Sequence, residues 1–169
     1  KCIEELPKLF KEYKIKTFLD APCGDLFWMQ QVKLGQIKYI GADIVPDIIE
    51  NNKQYENKNK SFRQLDITRD DLPEVDLMLV RDCLVHLPHE DIIKFIDNIS
   101  GSGIKYLLTT TFTDRDHNPQ ISAGNWRPIN LQIPPFSFPE PIKIINEGCT
   151  ESGGIYKDKS LGLWKIEDI

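Results

Sequence analysis

The stretch Thr17–Met29, TFLDAPCGDLFWM, constrains the fold more than any other part of the chain. A short apolar run ends at Asp20, and Ala21-Pro22-Cys23-Gly24-Asp25 makes a turn. Leu26 to Gly35 then holds enough good helix formers to predict a helix, with Asp25 as its N-cap and Gly35 as its stop. Strand, tight loop and helix N-terminus is the arrangement that presents unsatisfied backbone N–H groups to a bound small molecule.

Two ligand classes use such a turn. A dinucleotide needs G-x-G-x-x-G, so that the pyrophosphate can approach bare backbone. Here Pro22 removes an N–H, Cys23 adds a side chain, and Asp25 puts a negative charge where phosphates would sit. A ligand with an amino-acid end fits better: Asp20 can take its ammonium and the remaining loop N–H groups its carboxylate. S-adenosylmethionine is such a ligand.

Asp20-Ala-Pro-Cys-Gly24 resembles the D/E-x-G-x-G motif of the class I S-adenosylmethionine-dependent methyltransferases. Gly24 matches the second glycine, and Pro22 stands in place of the first. Gly41-Ala-Asp43, Leu65-Asp66-Ile67 and Arg81-Asp-Cys-Leu-Val-His-Leu87 follow in the family's order, so the resemblance covers Thr17 to Thr111. It implies an α/β, Rossmann-like three-layer sandwich: a mostly parallel seven-stranded sheet, order 3-2-1-4-5-7-6, with an antiparallel last strand. It also implies S-adenosylmethionine as cofactor, leaving as S-adenosylhomocysteine. The matching cofactor-binding positions are Asp20, Ala21, Pro22, Cys23, Gly24, Asp25, Trp28, Asp43, Ile44, Asp66, Ile67 and Arg81. In the family the position of Asp66 meets the adenine amino group.

Asp43 also has a reading of its own. It follows Asp20 at an interval close to the roughly 20 residues at which nucleotide-binding folds place a ribose-binding acid. A carboxylate there accepts hydrogen bonds from both ribose hydroxyls. Its structural alternative is a cap for the helix starting at Pro46. Asp66 has a similar alternative, capping the next turn.

The remaining runs place the sheet. Leu6–Tyr13 has the spacing of a short amphipathic helix covering it. Ile37–Ala42, Phe62–Ile67, Val75–Arg81 and Ile104–Phe112 read as strands, and Ile142–Glu147 with Leu161–Ile166 as a closing hairpin. Pro88 starts a helix whose buried stripe is Ile92, Ile93, Ile96 and Ile99. Ile67 to Val75 reaches only about 26 Å when stretched, against a crossing of about 22 Å in the family's strand order, so no full helix fits between the third and fourth strands. Residues 113–139 are proline-rich with no periodicity, yet carry Trp126, Phe136 and Phe138; the aromatics favour an ordered substrate lid within a single methyltransferase domain, 1–169.

The reacting methyl would point beyond the fourth and fifth strands, toward His86 as general base, the alternative being a packed or exposed histidine. Asp82 could orient the imidazole, bind a substrate amine, hold the cofactor's ammonium or simply pair with Arg81. Asn125, Trp126 and Arg127 are the substrate-reading candidates, Trp126 as an apolar wall and Arg127 as a fork for an anionic group; the alternative is that Trp126 pins the loop to the domain and Arg127 is solvated. His86-Leu-Pro-His89 lacks a third ligand, so no metal is expected.

A net charge of -5 makes nucleic acid an unlikely partner and favours a small-molecule acceptor, a sugar or amine metabolite methylated on O or N. The four cysteines form no C-x-x-C pair, and the start of the chain has no apolar signal core, which together lead to an expected cytoplasmic location. The rival reading, kept open by Pro22, is a methyltransferase-like cofactor-binding or regulatory module without catalysis.

Overall fold

The strands are short, the central ones are apolar, and the sheet they build has helices on both faces. In the computed structural model, which describes residues 1–169, chain order is α1 (Cys2–Glu12), β1 (Thr17–Asp20), β2 (Lys38–Asp43), α2 (Pro46–Asn52), β3 (Lys60–Gln64), β4 (Leu77–Val80), α3 (His89–Ser100), β5 (Tyr106–Phe112), β6 (Lys143–Asn146) and β7 (Lys159–Lys165). They form one seven-stranded sheet, β3-β2-β1-β4-β5-β7-β6. β1 to β5 run parallel, and β7 is antiparallel to both β5 and β6, the arrangement the resemblance implies.

The period of two along a strand divides the core between the faces. Leu77 and Leu79 of β4 pack with Leu6, Leu9 and Phe10 of α1 on one side. Met78 and Val80 pack with Ile92, Phe95 and Ile99 of α3 on the other. All four β4 side chains are fully buried, as a central parallel strand requires. The register also aims Asp20: Phe18 pairs with Tyr39 and Asp20 with Gly41, so Asp20 shares the face of Phe18 and Tyr39.

Three expectations need correction. No helix follows β1: Leu26 takes a left-handed backbone (φ 62°), Asp25 Oδ1 accepts from the Phe27 N–H, and only a 3₁₀ turn forms at Met29–Gln31. Leu26, Met29 and Val32 are the buried residues there, a spacing of three that matches the three residues per turn of the tighter 3₁₀ geometry. On α3 the buried stripe is Ile92, Phe95 and Ile99, while Ile93 is 44% exposed. The third strand ends at Gln64, so Asp66 lies past its tip.

The crossing from β3 to β4 contains no helix, as its short reach requires. Residues 113–139 hold neither helix nor strand, yet Ile129, Leu131 and Phe138 are buried against the α3 face of the sheet. No helix is long and apolar enough to cross a membrane.

Candidate active site at the strand tips

The parallel order reverses between β1 and β4, and crevices open beyond the carboxyl ends of strands at such a point. Three hollows occur there. A narrow crevice of about 100 Å³ lies between Pro22, Ile44, Leu65, Ile67, Cys83 and Leu87, with Asp43 and Asp66 among its walls. A larger cavity of about 390 Å³ is lined by Trp28, Arg81, Glu147, Cys149, Lys159 and the start of α1. A third, of about 230 Å³, lies among Asp82, His86, Phe112, Trp126, Tyr156 and Lys159. Cys149, Glu151 and Lys159 border both larger cavities, which are therefore neighbours.

The first loop is clamped to β2 and α2. Its N–H groups donate inward, Ala21 to Leu79 O, Cys23 to Ala42 O at 2.8 Å and Gly24 to Asp43 Oδ2 at 3.2 Å. The buried amide of Asn52 donates to Gly24 O at 2.7 Å. Asp43 Oδ1 also accepts from the Val45 N–H at 3.0 Å, so this carboxylate is fixed by two backbone donors while it borders the narrow crevice.

Asp20 is 2% exposed and accepts from the Tyr39 hydroxyl at 2.8 Å. Burial pushes its carboxyl up to about 7, against the Tyr39 hydrogen bond and Arg81, which pull down, and with Asp43, which adds to the rise. Asp66 is committed locally. Its Oδ1 accepts from the Thr68 N–H and hydroxyl, and Oδ2 pairs with Arg69 at 2.9 Å. Burial opposes ionisation there, yet those hydrogen bonds and Arg69 hold the carboxyl below its ordinary value.

Beyond β4 lies a charged cluster. Arg81 Nε donates to Glu147 Oε1 at 2.8 Å, Arg81 Nη1 lies 3.2 Å from Asp82, and Lys159 lies 2.7 Å from Asp82. The Arg81 guanidinium stands over the Trp28 ring at 5.3 Å. Asp82 has φ 54° and donates its N–H to the Thr110 hydroxyl, which holds it at the tip. His86 is exposed, and its Nδ1 lies 3.1 Å from the Asn125 carbonyl. A carbonyl only accepts, so Nδ1 carries a proton, and in the neutral tautomer this selects, the lone pair is on Nε2. Phe112, Trp126 and Tyr156 meet edge to face at 5.0 to 6.1 Å beside it.

No family model and no curated protein matches the chain. Solved structures do. Human N-acetylserotonin methyltransferase in complex with SAM aligns at TM-score 0.56 and 17% identity, over 69% of this chain and 36% of that one. The methyltransferase domain of bacterial CtHen1-C aligns at 0.56 and 15%, over 64% and 63%. Magnesium protoporphyrin IX methyltransferase from Synechocystis PCC 6803, with bound SAH, aligns at 0.53 and 14%, over 68% and 56%. The chain thus spans less than two thirds of each of these structures.

The fold is that of the class I S-adenosylmethionine-dependent methyltransferases. In methyltransferase terms the expected residues fall into three groups. Ala21, Pro22, Asp43, Ile44, Asp66 and Ile67 meet at one crevice. Trp28 and Arg81 meet at the large cavity, and Asp82, His86 and Trp126 at the third. Asp20 joins none of them, because the pleat turns it onto Tyr39. Cys23 and Gly24 lie behind the crevice, and the exposed Asp25 shapes its own turn. The expectation that loop N–H groups hold a carboxylate is overturned for Ala21, Cys23 and Gly24, whose donors are spent inside the domain.

Arg127 is also corrected. It is 3% exposed and donates to Pro119 O, Leu84 O and Leu87 O; burial without a carboxylate pushes its guanidinium down to about 10. It holds residues 113–139 to the domain and offers no fork to a ligand. Asn125 contributes its carbonyl to His86. Asp82 faces Arg81 and Lys159, so His86 is oriented by a backbone oxygen in its place. Glu147, Tyr156 and Lys159 were not anticipated; their only sequence signal is that they lie at or between the ends of the closing hairpin. Among His, Cys, Asp and Glu side chains, no group of three is placed to hold a metal ion.

Proposed function

We propose that the chain is a methyltransferase that binds S-adenosylmethionine across β1 and β4 and transfers its methyl group to an O or N atom of a small-molecule acceptor. The observation that carries this reading is Asp43: a buried carboxylate, held by the Gly24 and Val45 N–H groups, at the mouth of an apolar crevice at the switch point. Asp43 would take the ribose hydroxyls, and Pro22, Ile44, Leu65, Ile67 and Leu87 would pack the adenine. The same cofactor supports the reading through the solved structures described with SAM and SAH.

The bound cofactor supplies an activated methyl whose leaving group is a neutral thioether. The chain's task is then orientation, which contributes about 7–11 kcal/mol, and removal of one proton. His86 Nε2 would take that proton from the acceptor in the 230 Å³ cavity, with Phe112, Trp126 and Tyr156 as its walls. Residues 113–139 would serve as its cover, fixed by Arg127 and by Asn118, whose side-chain amide donates to Asn130 O and accepts from the Asn130 N–H.

The test is release of S-adenosylhomocysteine in the presence of a panel of amines, phenols, alcohols and sugars. Acceptor-dependent release that falls roughly 10²-fold in His86→Ala supports the mechanism. Cofactor binding without release from any acceptor supports a second reading, a binding module without turnover. That reading is favoured by the spent N–H groups of the first loop.

A further inference from the structure

Glu147 holds the one carboxylate oxygen in the chain that is both shut off from solvent and without a hydrogen-bond donor. Its side chain is 6% exposed. Oε1 accepts from Arg81 Nε at 2.8 Å and from the Cys2 thiol at 2.9 Å. Oε2 is shut off from solvent and has no hydrogen-bond partner, with Lys159 Nζ 3.5 Å away. A buried carboxylate oxygen left in this state is costly unless something else satisfies it.

Its setting narrows what that could be. Lys1, Arg81, Lys159, Glu147 and Glu151 line the 390 Å³ cavity, and Asp82, on the adjoining hollow, pairs with Arg81 and Lys159, so three side-chain charges of each sign gather there. A lone anion or cation entering this balanced cluster would leave one charge unpaired, which is expensive in a part-buried site. A group bearing both charges would not. The cavity adjoins the hollow of Asp82 and His86, with which it shares Cys149, Glu151 and Lys159, and the acid expected to hold an ammonium, Asp20, is turned onto Tyr39.

We propose that the Arg81–Glu147 pair is a cradle for a zwitterionic α-amino-acid head, the methionine end of the cofactor, with Glu147 taking the ammonium and Arg81 the carboxylate. In the empty site the two side chains satisfy each other, and the head separates them by offering each its opposite charge. Trp28, stacked on the guanidinium, keeps Arg81 in place during the exchange. Lys159 and Asp82 stay paired and hold the cluster neutral. This inference rests on the cofactor reading of the site but assigns the head group to β4 and the closing hairpin, away from the first loop.

The experiment compares S-adenosylhomocysteine with 5′-methylthioadenosine, which has the nucleoside and thioether but no amino-acid head, by titration calorimetry on wild type and Glu147→Gln. The glutamine keeps the shape of the side chain and can still accept from Arg81, and a thermal melt checks that the variant is folded. The expected result is that Glu147→Gln weakens S-adenosylhomocysteine about tenfold and leaves methylthioadenosine unchanged. Equal binding of both ligands in wild type, or equal effects of the variant on both, overturns the cradle while leaving the cofactor reading intact. Binding of neither ligand overturns both. Free L-methionine binding to protein already saturated with S-adenosylhomocysteine, and lost in Glu147→Gln, would give the cradle to an acceptor and also overturn the proposal.

Discussion

At Asp20 the cost of burial is written into the titration of a single group. The carboxyl sits at about 7 in the folded chain and near 4 when unfolded, so across that window the native state binds more protons. Its contribution is fully present below about pH 4 and is lost as pH rises through about 7. Asp20→Asn keeps an acceptor for Tyr39 and removes the charge. Urea denaturation of the ligand-free protein should show the variant more stable than wild type at pH 8 by roughly 1–4 kcal/mol, with a smaller difference at pH 5. An equal difference at both values would contradict the buried, uncompensated carboxylate. His89 works the other way. Burial and the nearby Arg127 hold its imidazole below its ordinary value, so its contribution is present above about 6.5 and falls as the solution becomes more acid.

Among elements, residues 113–139 are held by Arg127 as well as by the buried Ile129, Leu131 and Phe138. Arg127→Ala leaves Leu84 O, Leu87 O and Pro119 O without that donor and should cost about 2–4 kcal/mol in chemical denaturation. Arg127→Lys should recover only part of this, because an ammonium cannot span carbonyls arranged for a planar fork. Full rescue by lysine would mean the charge alone matters. β7 offers a steric test. A Cβ on Gly162 would stand 2.2 Å from the buried Trp164 ring, whereas one on Gly124 meets nothing. Gly162→Ala should therefore lower Tm by several degrees, an overpacking cost of about 1–3 kcal/mol.

The same residues explain what could be read from the chain beforehand. Strand tips were legible where an acid follows a β-rich run, as at Asp43. Arg81, Asp82 and His86 were legible because they follow a continuous apolar strand. Arg127 was not, since its partners are backbone carbonyls, which leave no mark in the sequence. The helix after β1 was misread because helix propensity in Leu26–Gly35 is weaker than the burial of Leu26, Met29 and Val32 that the tertiary structure imposes. Asp20 was placed correctly at its strand end but aimed wrongly: the pleat, not the motif, decides which face its carboxylate takes.

At the scale of the whole molecule, the order β3-β2-β1-β4-β5-β7-β6 does two things. It opens a crevice between β1 and β4, and it brings Glu147 and Lys159 from the far end of the chain back to the tip of β4. The two cores, one against α1 and one against α3, run along the strands and reach their carboxyl ends through apolar residues such as Ala21, Leu65 and Ile67. Substitutions of the charged tip residues, which belong to neither core, should affect ligand binding more than stability. The central claim is that Asp43 holds the ribose of a bound adenosyl cofactor, and the most direct measurement is calorimetric titration of S-adenosylhomocysteine into wild type and Asp43→Ala, each checked by thermal melt. Wild type should bind one equivalent, and Asp43→Ala should bind at least tenfold more weakly with its Tm within a few degrees. No binding by folded wild type, or unchanged affinity in Asp43→Ala, would contradict the assignment.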